Sequence, residues 1–526
     1  MNLLRDLFGV RHQPVVLAPY THDPKVGWRR WRLPLLLLAV AFICPIYGFY
    51  YALTTPYLLV QFTFPLILLA ALTIWALPEL GRAPTKLLEA FFFAFFTAMI
   101  LWPNYLAISL PGLPWITVLR LTGFPLALIL LISVSISKDF RGHLRDSLTS
   151  VPLLWKFMAG FVATQLISLF MSNQPSTSIN KIINSQVSWT AIFFVSAFVF
   201  LKPKRAEAWA FLFWGMGIAL GLIAMKEASL GRPPWAGHIP SFLAVEDESV
   251  QRVLTGGSRL GLKYRTQATY TTALGLAEYM ALLTPFLYHF MAGPFRLLIR
   301  LAAAATLPFI FYIIILTDSR LGVVGFIIGS LLYLLFWGAT QWRQRKGSLI
   351  GPAVVFAYPV FFTLMMAATF VFGRLRAMVW GGGQHAASND ARADQVQAGL
   401  PLVFTHPFGH GAGIGGTALG FRNAAGTLTI DNYYLLIALD YGILGFLLYY
   451  GLIALTIGNS SKYALTMTPR HRDQTFLIPI AIALTSFFII KSIFSQTENH
   501  PIAFMMVGMA AALIYRLKTD TKNASV

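Results

Sequence analysis

The sequence predicts an all-α fold: a polytopic transmembrane helix bundle of about 12–14 spans with a large loop near the C-terminal third. Three observations carry that prediction. Only 11% of the 526 residues are charged and 57% are hydrophobic, whereas an ordinary globular domain carries about 25% charged residues and a soluble surface needs polar cover. The apolar residues come in blocks. Leu33–Ala52, Leu58–Leu77 and Gly351–Phe372 are nearly free of charge, and each has roughly the 20 residues that cross a ~30 Å hydrocarbon core. Finally, Lys and Arg fall in every second loop, the signature of a consistent membrane topology.

The spans expected in order are 33–52, 58–77, 87–107, 115–137, 148–171, 184–201, 207–226, 271–292, 301–317, 321–338, 351–372, 433–457, 475–490 and 501–517, of which 184–201, 301–317 and 475–490 are short blocks that set the lower bound of twelve. With the N-terminus cytoplasmic, the inside segments hold Arg29, Arg30 and Arg32; Arg82 and Lys86; Lys138, Arg141 and Arg145; Lys202, Lys204 and Arg205; Arg296 and Arg300; Arg343, Arg345 and Lys346; Lys462, Arg470 and Arg472; and Arg516, Lys518 and Lys522. The loops after the first and third spans carry no Lys or Arg. Both termini therefore come out cytoplasmic. The organisation that follows is a basic N-terminal segment 1–32, an N-terminal bundle 33–226, an outer loop 227–270, helices 271–372, a large periplasmic loop 373–431, C-terminal helices 432–517 and a tail 518–526.

Composition also excludes. The single cysteine, Cys44, rules out a disulfide within the chain and a thiolate cluster. A polar, basic segment precedes a first block long enough to span, so no cleavable signal is expected. The net charge of +20 sits in loops, which points to topology and anionic lipid rather than nucleic acid. No phosphate-binding loop, HExxH or outer-loop Asp-x-Asp is present. Between His406 and His410 stand Pro407 and Gly409, which argues against a helical pair of metal ligands.

The large loop carries a predicted amphipathic helix from Asn389 to about Phe404, with Val396, Leu400 and Val403 on one side and Arg392 and Gln395 on another. Thr405-His406-Pro407-Phe408-Gly409-His410-Gly411-Ala412-Gly413 follows. Its alternating glycines allow a close backbone approach to a ligand, or make a plain turn. Ionisable groups at the outer face are informative because polar groups are costly in membrane segments. Arg265 precedes the eighth span, as a functional cation or an interfacial anchor. Arg320 lies in the turn Thr317-Asp318-Ser319-Arg320-Leu321-Gly322, where Asp318 is a candidate partner. Arg374, Arg376 and Arg392 add to a cationic patch suited to phosphate oxygens. Asp431, at the entry to the twelfth span, reads as a helix N-cap, as a general base on a sugar hydroxyl, or as both.

These residues resemble the O-antigen ligase and polysaccharide polymerase superfamily of bacterial inner-membrane glycosyltransferases. Arg265 with the run Ala268 to Pro285 is similar to the family's outer-loop arginine ahead of a helix. Thr317 to Gly322 is similar to its Thr-x-Ser-Arg-Gly turn, with Leu321 where Gly is frequent. His406-Pro407-Phe408-Gly409-His410-Gly411 joined to Asp431-Asn432-x9-Gly442-Ile443-Leu444-Gly445 is similar to its Pro-x-x-Gly-x-Gly stretch and His-Asn-x9-Gly helix entry. The resemblance implies transfer of glycan from a polyprenyl diphosphate carrier at the periplasmic face, with no metal or nucleotide-sugar cofactor. Arg265 and Arg320 would hold the diphosphate. Asp431 stands at the ligase histidine, and Arg392, Arg374, Arg376, His406, His410 and Asn432 are the expected substrate contacts. His385, His406, His410 and His500 are alternative bases. Partners would be the lipid-linked oligosaccharide, the bilayer, a chain-length regulator and a flippase. Asp in place of His favours a polymerase of exopolysaccharide or O-antigen repeat units over a lipid A-core ligase. A secondary transporter or glycolipid flippase is the reading from another class. Lys156, Glu278 and Asp440 lie in or near spans as it would need, but the motifs gather at one face and not at the midplane.

Overall fold

The computed structural model describes residues 32–53, 58–109, 116–245, 250–251, 254, 264–373, 376, 386–422, 428–493 and 496–525. The fold is an all-α polytopic bundle with very little strand. Its helices are α1 Arg32–Leu53, α2 Leu58–Ala76, α3 Thr85–Leu101, α4 Val118–Ile136, α5 Lys138–Thr149, α6 Pro152–Leu169, α7 Pro175–Ser185, α8 Ala191–Val199, α9 Arg205–Leu230, α10 Ala273–Ala292, α11 Leu297–Leu316, α12 Arg320–Gln344, α13 Ile350–Val371, α14 Ala386–Thr405, the short α15 Gly415–Leu419, α16 Tyr433–Thr466, α17 Leu477–Lys491 and α18 His500–Ser525. Each expected span overlaps one of them.

Among the described residues, ten helical stretches are long and apolar enough to cross a membrane, against the 12–14 expected. Two of the expected spans, α1 and α2, lie partly among residues whose side chains fall outside the described set, and two others differ for physical reasons. α3 stops at Leu101 and the chain turns through Pro103 into a strand, so it is shorter than expected. α10 carries Glu278, Thr284 and His289, and nearly all of its side chains are buried. It packs on α9, α11, α12 and α17. A helix surrounded by protein can hold polar residues that a lipid-facing one cannot, and this one is the hub of the bundle.

Several elements escaped the sequence. α7 runs through a π-helical turn, Gln186–Thr190, into α8. Pro175 at its first turn starts this span earlier than the expected residue 184, and Gln186 Nε2 donates to Gln165 Oε1 at 2.5 Å beside the irregular turn. Three short strands, β1 Leu106–Ile108, β2 Ile116–Thr117 and β3 Leu243–Val245, form an antiparallel sheet in the order β2-β1-β3. Strands of two or three residues are too short to show alternation. α18 continues to Ser525, so helix covers most of the expected tail.

Candidate active site at the Arg320 turn

The segment Tyr264 to Thr271 lies across the ends of four elements. In the last turn of α9, Glu227 is fully buried. Its carboxylate accepts the Tyr264 hydroxyl at 2.5 Å and the backbone N–H groups of Gln267 and Ala268 at 3.1 and 2.6 Å. Ala268 takes a left-handed conformation, φ +49°, to close this turn. Thr269 Oγ1 donates to the Ile100 carbonyl at 2.6 Å. Thr271 donates its N–H and hydroxyl to Glu498 at 3.0 and 2.8 Å. Burial pushes the Glu498 carboxyl up to about 7, against the lowering effect of the Thr271 hydrogen bonds. Neither Glu227 nor Glu498 was singled out from the sequence. An acid in the last turn of an apolar helix was the available signal for Glu227.

This saddle sets Arg265. Thr266 N–H donates to the Leu316 carbonyl at 3.3 Å and Arg265 Nε to the Thr317 carbonyl at 2.9 Å. A guanidinium there also meets the negative end of the α11 dipole. The chain then reverses within three residues. Asp318 sits at φ +49°, Ser319 caps α12 by accepting the Gly322 N–H at 3.3 Å, and Arg320 is the first residue of α12. Gly322 is needed because a Cβ there would stand 2.8 Å from Ala277 Cβ. Two arginines 55 positions apart in the sequence thus meet around one tight turn.

The large loop supplies the third cation. α14 lies along the first turns of α16, but its buried side is not the one expected. Gln395, Gly399 and Val403 are buried, Arg392 is half-buried on the same stripe, and Leu400 is exposed. A close approach decides this: a Cβ at Gly399 would fall 2.8 Å from Leu435. Arg392 is close enough to Arg320 for their charges to repel, while Asp318 attracts Arg320. Burial draws the Arg392 guanidinium below its ordinary value and Asp431 counteracts that. Gln395 Oε1 accepts the Asp431 N–H at 2.9 Å. The N-cap of α16 is Asn432, not Asp431: its Oδ1 accepts the N–H groups of Tyr434 and Leu435 at 2.9 and 3.2 Å. Asn432 therefore has a structural duty beside its expected substrate role, and Asp431 is released from capping. The arrangement is an arginine cluster with two carboxylates, Asp318 and Asp431, at its edge.

The glycine stretch is elsewhere. His406 follows Gln395 by 11 residues, roughly 16 Å along a helix. The backbone that this stretch approaches belongs to α16. The helix is broken at Gly442, φ 73°, where a Cβ would collide with the Pro407 carbonyl oxygen at 1.9 Å; one at Gly409 would lie 2.3 Å from the Asp440 carbonyl oxygen. The Asp440 carboxylate accepts the N–H groups of Gly413 and Gly415 at 2.9 and 2.7 Å, and the Leu439 carbonyl accepts the His410 N–H at 2.8 Å. The His406 and His410 rings stand 4.4 Å apart. Burial lowers His410 most, and the neighbouring His406 lowers it further, while its contact with the Leu439 carbonyl raises it.

The remaining candidates divide. Arg376 is exposed. Arg374 and His385 lie outside the described residues. His500 is fully buried among the rings of Trp189, Tyr433 and Phe487, which removes it as a base for a bound sugar. Glu278 pairs with Lys491 at 2.8 Å, both buried, and Asn499 donates to the same carboxylate at 3.1 Å. Lys156 is exposed on α6. Among the described residues no three His, Cys, Asp or Glu side chains form a group that could hold a metal.

Residues 304–450 match the family model described as O-antigen ligase. The match spans 147 of the 526 residues. No curated protein matches the chain. The matched region includes Arg320, Arg392, Asp431, Asn432 and the whole His406–Gly413 stretch, and the match supports the superfamily that the motifs resemble. Arg265 precedes it and joins it through the Thr317 carbonyl. At this level the match supports a multi-pass membrane enzyme of the O-antigen ligase and polymerase type.

Proposed function

We propose that the protein transfers glycan from a polyprenyl diphosphate carrier at the periplasmic face of the inner membrane, and that it polymerises repeat units. The observation that carries this is the convergence of Arg265 and Arg320 on the Thr317–Arg320 turn, with Arg392 beside them. Arginine forks match phosphate oxygens, and fixed cations are most effective where charge builds in the transition state. The acceptor hydroxyl attacks the anomeric carbon, the bond from that carbon to the diphosphate oxygen breaks, and the diphosphate leaves with its charge held by the arginines. Asp431 takes the hydroxyl proton. In this reading, 373–431 is the periplasmic loop that carries Arg392 into the site. A transporter is less well supported, because Glu278 is committed to Lys491 and Asp440 to the glycine stretch.

The matching family is described as O-antigen ligase, which favours ligation as the second reading, with lipid A-core as the acceptor. A single assay separates the two. Purified protein is given a polyprenyl-diphosphate-linked repeat unit with and without lipid A-core, and the products are sized. A ladder without the acceptor supports polymerisation. One product that requires the acceptor would replace it with ligation. Unchanged transfer by both Arg265→Ala and Arg320→Ala would remove the mechanism.

A further inference from the structure

At the other end of α12, 23 residues beyond Arg320, stands Arg343, roughly 35 Å along the helix axis. There the ends of α10, α12 and α16, together with the segment from Met467 to Ile478, enclose a cavity of about 1440 Å³. Five arginines line it, Arg300, Arg343, Arg345, Arg470 and Arg472, and no aspartate or glutamate does. Two of the five are occupied: Arg300 Nε donates to the Met291 carbonyl at 2.8 Å, and Arg472 pairs with Glu207 outside the cavity. The guanidinium groups of Arg343, Arg345 and Arg470 have no carboxylate partner among the described residues.

The rest of the wall is graded. Tyr333 and Trp337, on the same face of α12, belong to the lining with Leu334 and Leu465. Tyr and Trp rings favour the level of the lipid headgroups. Arginines, aromatic rings and aliphatic side chains together match the parts of a phospholipid: phosphate, glycerol and upper acyl chain. The volume exceeds the ~300–1,000 Å³ of ordinary small-molecule pockets, which suits a headgroup with part of its chains. Basic pockets between transmembrane helices are a recurrent way of holding anionic headgroups.

We propose that this cavity binds an anionic phospholipid through Arg343, Arg345 and Arg470. The site is independent of the reaction at the Arg320 turn and does not rest on it. It would couple the packing of α10, α12 and α16 at this end to the surrounding lipid.

The test reconstitutes the full chain in nanodiscs of phosphatidylcholine containing increasing phosphatidylglycerol. Melting and retained lipid are read, the latter by native mass spectrometry. The expected result is a melting temperature that rises with phosphatidylglycerol and selective retention of that lipid. At about 1 kcal/mol per basic residue, the triple variant R343A/R345A/R470A should bind phosphatidylglycerol roughly a hundredfold more weakly. The variant R343K/R345K/R470K should keep part of the affinity, because charge remains while the fork is lost. Equal retention of both lipids by the natural chain would overturn the proposal. So would an undiminished phosphatidylglycerol effect in the alanine variant. Stabilisation by free inorganic phosphate as large as that by phosphatidylglycerol would make this a small-anion site and also overturn it.

Discussion

The two ends of α14 both carry residues marked out by the sequence, yet they do different work. At one end Arg392 faces Arg320, and Gln395 holds the backbone at Asp431. At the other, the His406–Gly413 stretch is pinned to the broken turn of α16 by backbone contacts and by the Asp440 carboxylate. One end gathers like charges, which costs stability, and in the proposed function a bound diphosphate offsets that cost. The other satisfies its polar groups internally. A glycine-rich motif is therefore a sign of close backbone approach, and here the thing approached is the protein itself.

The comparison can be broken at several points. The largest expected effect is at the cationic end. Arg320→Ala, and separately Arg265→Ala, should lower glycan transfer by ~10²–10³-fold, the loss typical of one charge-stabilising donor, with helical content unchanged by circular dichroism. A loss of helix along with activity would mean that the cluster is architectural after all. Next is the latch. Gly442→Ala puts a Cβ into the Pro407 carbonyl at a positive φ and should cost ~3 kcal/mol or more, seen as a lower melting temperature in detergent. A melt like that of the natural chain would show that the break in α16 is not enforced by this contact.

A third prediction concerns the saddle beneath Arg265. The Glu498 carboxyl is pushed up to about 7 from 4.5. A raised carboxyl contributes stability that is fully present below its unfolded value and is lost as pH rises through about 7. Melting temperature should therefore fall between about pH 4.5 and 7, and Glu498→Gln should flatten that slope; an equally steep slope in the variant would assign it to another group. Gln395→Leu should cost about 1 kcal/mol by leaving the Asp431 N–H unpaired, and should raise the apparent KM more than it lowers stability. The smallest effect is expected of His406→Ala. General bases contribute ~10²–10⁴-fold, so transfer that stays within about threefold of the natural chain keeps Asp431 as the base, whereas a collapse would move the chemistry to the histidine end.

The sequence by itself determined the helical, membrane-embedded architecture, because blocks of roughly twenty apolar residues and alternating basic loops follow from the bilayer as solvent. It also pointed to Arg265, Arg320, Arg392 and Asp431, since charges at the edge of apolar segments are few. Tertiary structure decided the rest. The buried side of α14 depends on where Gly399 meets Leu435, a fact about α16 and not about α14. Asn432 caps the helix in place of Asp431, whose backbone N–H is held by Gln395 from α14. Glu227 and Glu498 gained their places only when four helix ends came together around Tyr264 to Thr271. The arginine cavity at the far end joins residues 300, 343, 345, 470 and 472, which positive-inside topology puts on one side of the membrane but which only the packing of helices puts around one space.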